Sequence, residues 1–210
     1  KRAFRKLAQD RVPADAMRLS DADESAVNLA MSGIAGLTKQ AFDRYTAWRK
    51  VAGGCLAIVG WEGPADMVKA RRAHAHKVFG QFGGVGLGAG VGRSWEKNRF
   101  AAPYLRDDLL DAGYLVETLE TANEWSQLDA TYDAVHAALR GALGEPLIGT
   151  HLSHIYPTGA SLYFTVITPL AGDPVAQWRA AKMAATQALV DTDATITHHH
   201  SVGRDHAPWL

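Results

Sequence analysis

The chain has 210 residues, 47% of them hydrophobic, and its 22 Lys and Arg balance 22 Asp and Glu. That much apolar material serves one large domain or two small ones, each with a core, and argues against disorder. Zero net charge argues against a surface built for nucleic acid, and no stretch approaches the roughly 20 apolar residues that span a bilayer. A soluble chain is expected.

Lys1 to Gln9 reads as a helix already under way, with Phe4, Leu7 and Ala8 on one face, and the chain closes on the apolar Pro208-Trp209-Leu210. Both ends suggest a piece of a longer protein. Ala16 to Ser20 is a short strand. Asp21 followed three residues later by Glu24 has capping-box spacing, so a helix is expected from Ala22 to Ser32. Phe42 to Val51 has helical character and stops at Gly53-Gly54. The apolar run Cys55 to Glu62 reads as a strand, which makes Cys55 a buried, inert thiol and, as the one cysteine, fits a reducing compartment. Pro64 opens a helix to about Phe79.

The stretch Gly83 to Gly92 is the richest in glycine. Gly84, Gly86 and Ala89 match a loose dinucleotide pattern, yet they follow a helix where that fingerprint needs a strand, turn and helix in one unit. The alternation of glycine with Val, Leu and Ala reads as a strand with close backbone approach on one side. Asn98 to Gly113 is helical or loop-like. Leu115 to Trp125 is a strand, and Ser126 to Leu143 is a helix with Leu128, Tyr132, Val135 and Leu139 at three- and four-residue steps, closed by Gly144. Strands Leu147 to Ile155 and Ala160 to Thr168 flank the turn Tyr156-Pro157-Thr158-Gly159. Asp173 to Val190 is the last long helix and Ala194 to His200 the last strand. The order predicts an α+β fold in which two ferredoxin-like βαβ units share an antiparallel sheet with helices on one face.

Nine histidines occur, and His198, His199 and His200 are consecutive. On an extended strand His198 and His200 share one face and His199 takes the other. Three readings stand: an exposed strand end; a metal site joining His198 and His200 to His151 and His154; and acid-base or anion chemistry without a metal. Against the metal stand the opposite faces expected of His151 and His154 and the lack of a Cys pair or an H-E-x-x-H helix. Arg18, Arg93 and Arg106 are candidate fixed cations. Tyr156, beside a turn, is a candidate proton donor or acceptor.

The run Thr197-His198-His199-His200-Ser201-Val202-Gly203-Arg204, with Trp209-Leu210 close behind, resembles the Ser-His-His-His-Gly-Val-Gly-Lys motif of the alkyldihydroxyacetonephosphate synthase family. Met17-Arg18-Leu19-Ser20-Asp21, Tyr104-Leu105-Arg106-Asp107, Leu119-Glu120-Thr121-Ala122 with Trp125, and Tyr156-Pro157-Thr158-Gly159-Ala160-Ser161-Leu162-Tyr163-Phe164 resemble further motifs of that family in the expected order. Ser201 and Arg204 depart from it, standing where Gly and Lys are usual. The resemblance spans Arg18 to Leu210.

It implies that residues 1–210 are the substrate-binding cap domain of an FAD-dependent enzyme whose N-terminal domain holds most of the FAD, so that this chain alone binds the cofactor weakly. It implies exchange of the acyl group of acyl-dihydroxyacetone phosphate for a fatty alcohol in ether-lipid synthesis. Tyr156, His198, His199 and His200 are the implied catalytic residues; Arg18, His198 and His200 the implied flavin contacts; Arg106, Glu120 and Thr121 the implied substrate contacts. No metal is implied. A homodimer, peripheral membrane contact and a cytoplasmic setting go with this reading. An FAD-linked lactate or glycolate dehydrogenase, and a non-enzymatic metal- or ligand-binding α+β module, are the alternatives.

Overall fold

The computed structural model describes residues 1–101 and 104–210 in side-chain detail. It divides into two compact units, Lys1–Arg99 with Ile155–Pro157, and Phe100–His154 with Thr158–Leu210.

The first unit contains α1 (Arg2–Gln9), β1 (Ala16–Ser20), α2 (Ala22–Met31), α3 (Gly36–Trp48), β2 (Ala57–Gly60), α4 (Ala65–Gln81) and α5 (Gly90–Asn98). β1 and β2 pair antiparallel, Met17 opposite Val59. Asp21 caps α2 as its spacing predicts, its carboxylate accepting the Glu24 N–H at 2.8 Å. α1 buries Ala3, Phe4, Leu7 and Ala8, and Phe4 meets Phe79 of α4 edge to face at 5.8 Å between centroids.

Two expectations fail in this unit. Residues 83–89 form no strand: they run irregularly from α4 into α5, since period-two alternation makes a strand only where a partner supplies the ladder. Close backbone approach holds at Gly84, where a side chain would press on the Phe79 backbone. The strand after Gly54 begins only at Ala57, which leaves Cys55 exposed before it.

The second unit contains α6 (Ala102–Asp111), β3 (Tyr114–Glu124), α7 (Leu128–Leu143), β4 (Leu147–Ile155), β5 (Gly159–Pro169) and α8 (Pro174–Asp191). The strand order is β4-β5-β3, with β3 and β5 antiparallel in a register that sets Leu119 opposite Phe164 and Glu120 opposite Tyr163. β5 thus lies between the two strands that α7 connects, the split βαβ arrangement of a ferredoxin-like unit. A side chain at Gly159 would collide with the Asn123 carbonyl across this ladder, so glycine is required where β5 begins.

Period-two alternation divides this sheet into an apolar face and a polar one. Leu115, Leu119, Leu162, Phe164 and Val166 are buried on the side where α7 and α8 pack. α7 adds Leu128, Val135 and Leu139, and α8 adds Ala181, Ala185 and Leu189. The alanines of α8 let it approach α7 closely. Asp173 caps α8, accepting the Val175 and Ala176 N–H groups. His136 of α7 belongs to this core: it meets Thr150 Oγ1 at 2.8 Å and stacks on Tyr132. Glu120 and Tyr163 point the other way.

Phe164 is 1% exposed and touches the Tyr132 and His136 rings. Phe164→Ala is expected to cost roughly 3–5 kcal/mol in urea unfolding of the chain, and a loss below about 1 kcal/mol would contradict this packing.

Candidate active site

The polar face of the second unit is organised by one carboxylate. Glu120, in the middle of β3, is 5% exposed. A carboxylate buried to that degree keeps its charge only if polar partners replace its water. Three imidazoles surround it. His198 Nδ1 lies 3.2 Å from Oε1, His200 Nε2 3.6 Å from Oε2 and His154 Nε2 3.7 Å from Oε1, each an ion pair when the ring is protonated. Ser153 Oγ stands 3.5 Å from Oε1 and is bonded to Ser161 Oγ at 2.9 Å.

The triple histidine reaches this carboxylate by a route unlike the expected strand. Residues 194–200 form no strand, and His199 and Ser201 lie at φ of 62° and 67°. Left-handed backbone is uncommon for residues with a side chain, and here it turns the chain twice within three residues. His198 and His200 still converge, because bends bring both to Glu120. His199 is not sent away: its ring lies 4.2 Å from that of His198 and 4.5 Å from that of His154.

His154 departs from alternation too. Its backbone N–H donates to Ser161 Oγ at 3.0 Å, and its ring joins His198 and His199. His151 is buried and stacks on Tyr163 at 4.9 Å, and Tyr163 meets His200 edge-on at 5.4 Å. One donor nitrogen from each of His154, His198 and His199 falls within 4.8 Å of the others, a grouping that could hold a metal ion. That set differs from the one the sequence suggested, with His199 in it and His151 and His200 outside.

The remaining expected residues are placed as follows. Thr121 is fully buried and donates its hydroxyl to the Thr195 carbonyl, so it holds the chain leading to the histidines. Arg106 is exposed on α6 and is not among the side chains packed around Glu120. Arg18 belongs to the first unit, where its guanidinium meets Glu24 at 2.7 Å, and Arg93 is exposed on α5. Tyr156 is 40% exposed and lies in the segment Ile155–Pro157 that groups with the first unit. Tyr163 was legible only as part of a motif. Its signal is its place opposite Glu120 in the β3–β5 register.

The family described as FAD linked oxidases, C-terminal domain, matches residues 1–210. The chain belongs to this family. It is homologous to alkyldihydroxyacetonephosphate synthases: 31% identical to that of Dictyostelium discoideum over 161 residues (74% of this chain and 26% of the relative). It is 29% identical to that of Trypanosoma brucei brucei over 206 residues, 92% of this chain and 34% of the relative. Among solved structures, an alkyldihydroxyacetonephosphate synthase superposes with a TM-score of 0.76 at 23% identity, covering 92% of this chain and 37% of that one. The 4-ethylphenol oxidase from Gulosibacter chungangensis, in an isoeugenol complex, shares the fold with a TM-score of 0.62 at 9% identity, covering 99% of this chain and 46% of that one. The chain spans about a third of the length of the curated relatives it matches.

A small cavity of about 110 Å³ lies beside the histidines of this FAD linked oxidase C-terminal domain, lined among others by Glu120, Lys182, Ile196, His200, Val202 and Gly203. Pockets that enclose a ligand of drug size run to roughly 300–1,000 Å³. The cavity is too small to enclose a flavin. The glycine-rich stretch follows α4 rather than a strand and builds no pyrophosphate cradle.

Burial holds the His154 pKa below the ordinary 6.5; Glu120 pulls the other way, and His199, His198 and His151 add to the lowering. The folded chain thus binds this proton less tightly than the unfolded chain does. The contribution of His154 to stability is complete above pH 6.5 and declines as the pH falls below it. An NMR titration of the imidazole is expected to give a midpoint below 6.5, and one above it would mean that the Glu120 charge outweighs the partial loss of water around this half-exposed ring.

Proposed function

We propose that this chain is the substrate-facing domain of an FAD-dependent, alkyldihydroxyacetonephosphate synthase-like enzyme that exchanges the acyl group of an acyl-dihydroxyacetone phosphate for a fatty alcohol. The observation that carries the reading is the carboxylate of Glu120 shared by His154, His198 and His200, with Tyr163 on the same face. The homology to synthases of that name supports it.

Flavin, when bound, supplies an electron sink for the carbon skeleton of the substrate. The residues of this chain have three tasks. Imidazoles that gain a proton beside Glu120 become donors for phosphate or for a departing carboxylate. Glu120 sets a carboxylate within 4 Å of three of them. Tyr156, given proton abstraction by the resemblance, would hand its hydroxyl proton to a neutral imidazole and, as phenolate, take one from carbon, while Tyr163 packs between His151 and His200 on the face of Glu120.

Arg18 and Arg106 keep the flavin and substrate roles assigned by resemblance, with Arg18 acting beside Glu24. A flavin-binding domain elsewhere in the same protein completes the site. A homodimer and peripheral contact with the membrane that holds the lipid substrates belong to the same reading. No helix among the described residues is long and apolar enough to cross a membrane.

The test is turnover by the full-length flavoprotein. Labelled fatty alcohol should enter acyl-dihydroxyacetone phosphate with no electron acceptor consumed. Tyr156→Phe should slow exchange by roughly 10²–10⁴-fold, the usual worth of a positioned acid or base, and Tyr163→Phe by much less. Reduction of an acceptor by lactate or glycolate without alcohol exchange would replace this reading with a 2-hydroxyacid dehydrogenase.

A further inference from the structure

The histidines are carried on chain that has no regular structure. Between the end of α8 at Asp191 and the short 3-10 turn Ala207–Trp209 there is neither helix nor strand. Something else must fix the register of His198 and His200 on Glu120, because three extended residues can span about 10 Å and could carry His198 well away.

At one residue, bonds to β3 do this. Thr195 donates its backbone N–H to the Ala122 carbonyl at 3.0 Å, and its hydroxyl accepts the Ala122 N–H at 2.8 Å. Its own carbonyl accepts the hydroxyl of Thr121. All three polar groups of Thr195 are therefore engaged by two adjacent residues of β3, the outer strand of the β4-β5-β3 set. Thr121 and Ala122 directly follow Glu120. The approach is tied as well: Asn123 Nδ2 donates to the Thr192 carbonyl at 2.9 Å, and the Ala194 N–H to the Leu189 carbonyl at 2.9 Å. On the far side His206 Nδ1 meets the Val202 carbonyl, and Trp209 Nε1 donates to Gln187 of α8 at 2.9 Å.

We propose that Thr195 is a positioning residue of the active site, whose clasp on Thr121 and Ala122 sets the register in which His198 and His200 share Glu120. The left-handed turns at His199 and Ser201 are held between this clasp and the anchors on α8, as such conformations are when their surroundings over-determine them. Neither neighbouring hydroxyl needs to touch substrate. Thr121, expected from resemblance to contact substrate, acts here through Thr195.

The inference rests on the proposed function only for its kinetic readout. In the full-length holoenzyme, Thr195→Val should lower kcat about tenfold or more with KM within about twofold, and Thr195→Ser, which keeps the hydroxyl, should restore kcat. Amide exchange at Ala122 should accelerate about tenfold in Thr195→Val and stay native in Thr195→Ser. Thr121→Val, which removes one bond of the clasp, should lower kcat in the same direction and serves if Thr195→Val does not fold. If the enzyme shows no alcohol exchange, the proposed function fails while the Ala122 amide still tests the clasp. Faster exchange at Ala122 with kcat unchanged, a rise in KM with kcat unchanged, or a serine variant as slow as the valine would each overturn the positioning role, and an unaltered Ala122 amide would overturn the clasp.

Discussion

A carboxylate placed in the middle of a strand and taken almost wholly out of water governs the polar face of the second unit. Glu120 cannot sit there charged unless donors come to it, and within the sheet Ser153 of β4, bonded to Ser161 of β5, offers one, with Tyr163 of β5 nearby. The remaining donors arrive from the end of β4 and from the irregular chain after α8. Thus the turn of the His154 ring toward Glu120, the left-handed turns at His199 and Ser201 and the clasp at Thr195 all serve one electrostatic requirement.

The opposite face shows why such a loop is tolerated. α7 and α8 pack on each other and on Leu119, Leu162, Phe164 and Val166, giving the second unit a rigid apolar half that does not depend on the histidines. β3 serves both halves, with Leu119 and Thr121 on one side and Glu120 on the other. A site built on a packed strand can hold side chains more closely than one built on loops alone. The histidine loop gains that precision by being tied to β3 beside the carboxylate it serves.

Much of the fold was legible because it rests on local chemistry. Leu128, Val135 and Leu139 announce α7 by spacing, Asp21 marks the start of α2 by its cap, and β4 runs from Leu147 to Ile155 as its apolar pattern predicts. What escaped depends on partners distant in sequence. Nothing in Gly83 to Gly92 shows that no strand comes to pair with it. Nothing in Thr197 to Ser201 shows a backbone that twice turns left-handed, because glycine, the usual marker, is absent at those positions. The histidines were found by their repetition, and Glu120 by a resemblance that made it a substrate contact. That it is the common partner of three imidazoles needed the ladder that sets it opposite Tyr163.

Glu120 is the centre of this site only if His154, His198 and His200 all answer to its charge. Glu120→Gln keeps the shape and removes the charge, and imidazole NMR of the chain reads each ring separately. The resonances of His154, His198 and His200 should all move while that of His136, bonded to Thr150 on the other face, stays in place. If those three rings keep their native resonances, or respond no more than His136, Glu120 is not the centre of this site.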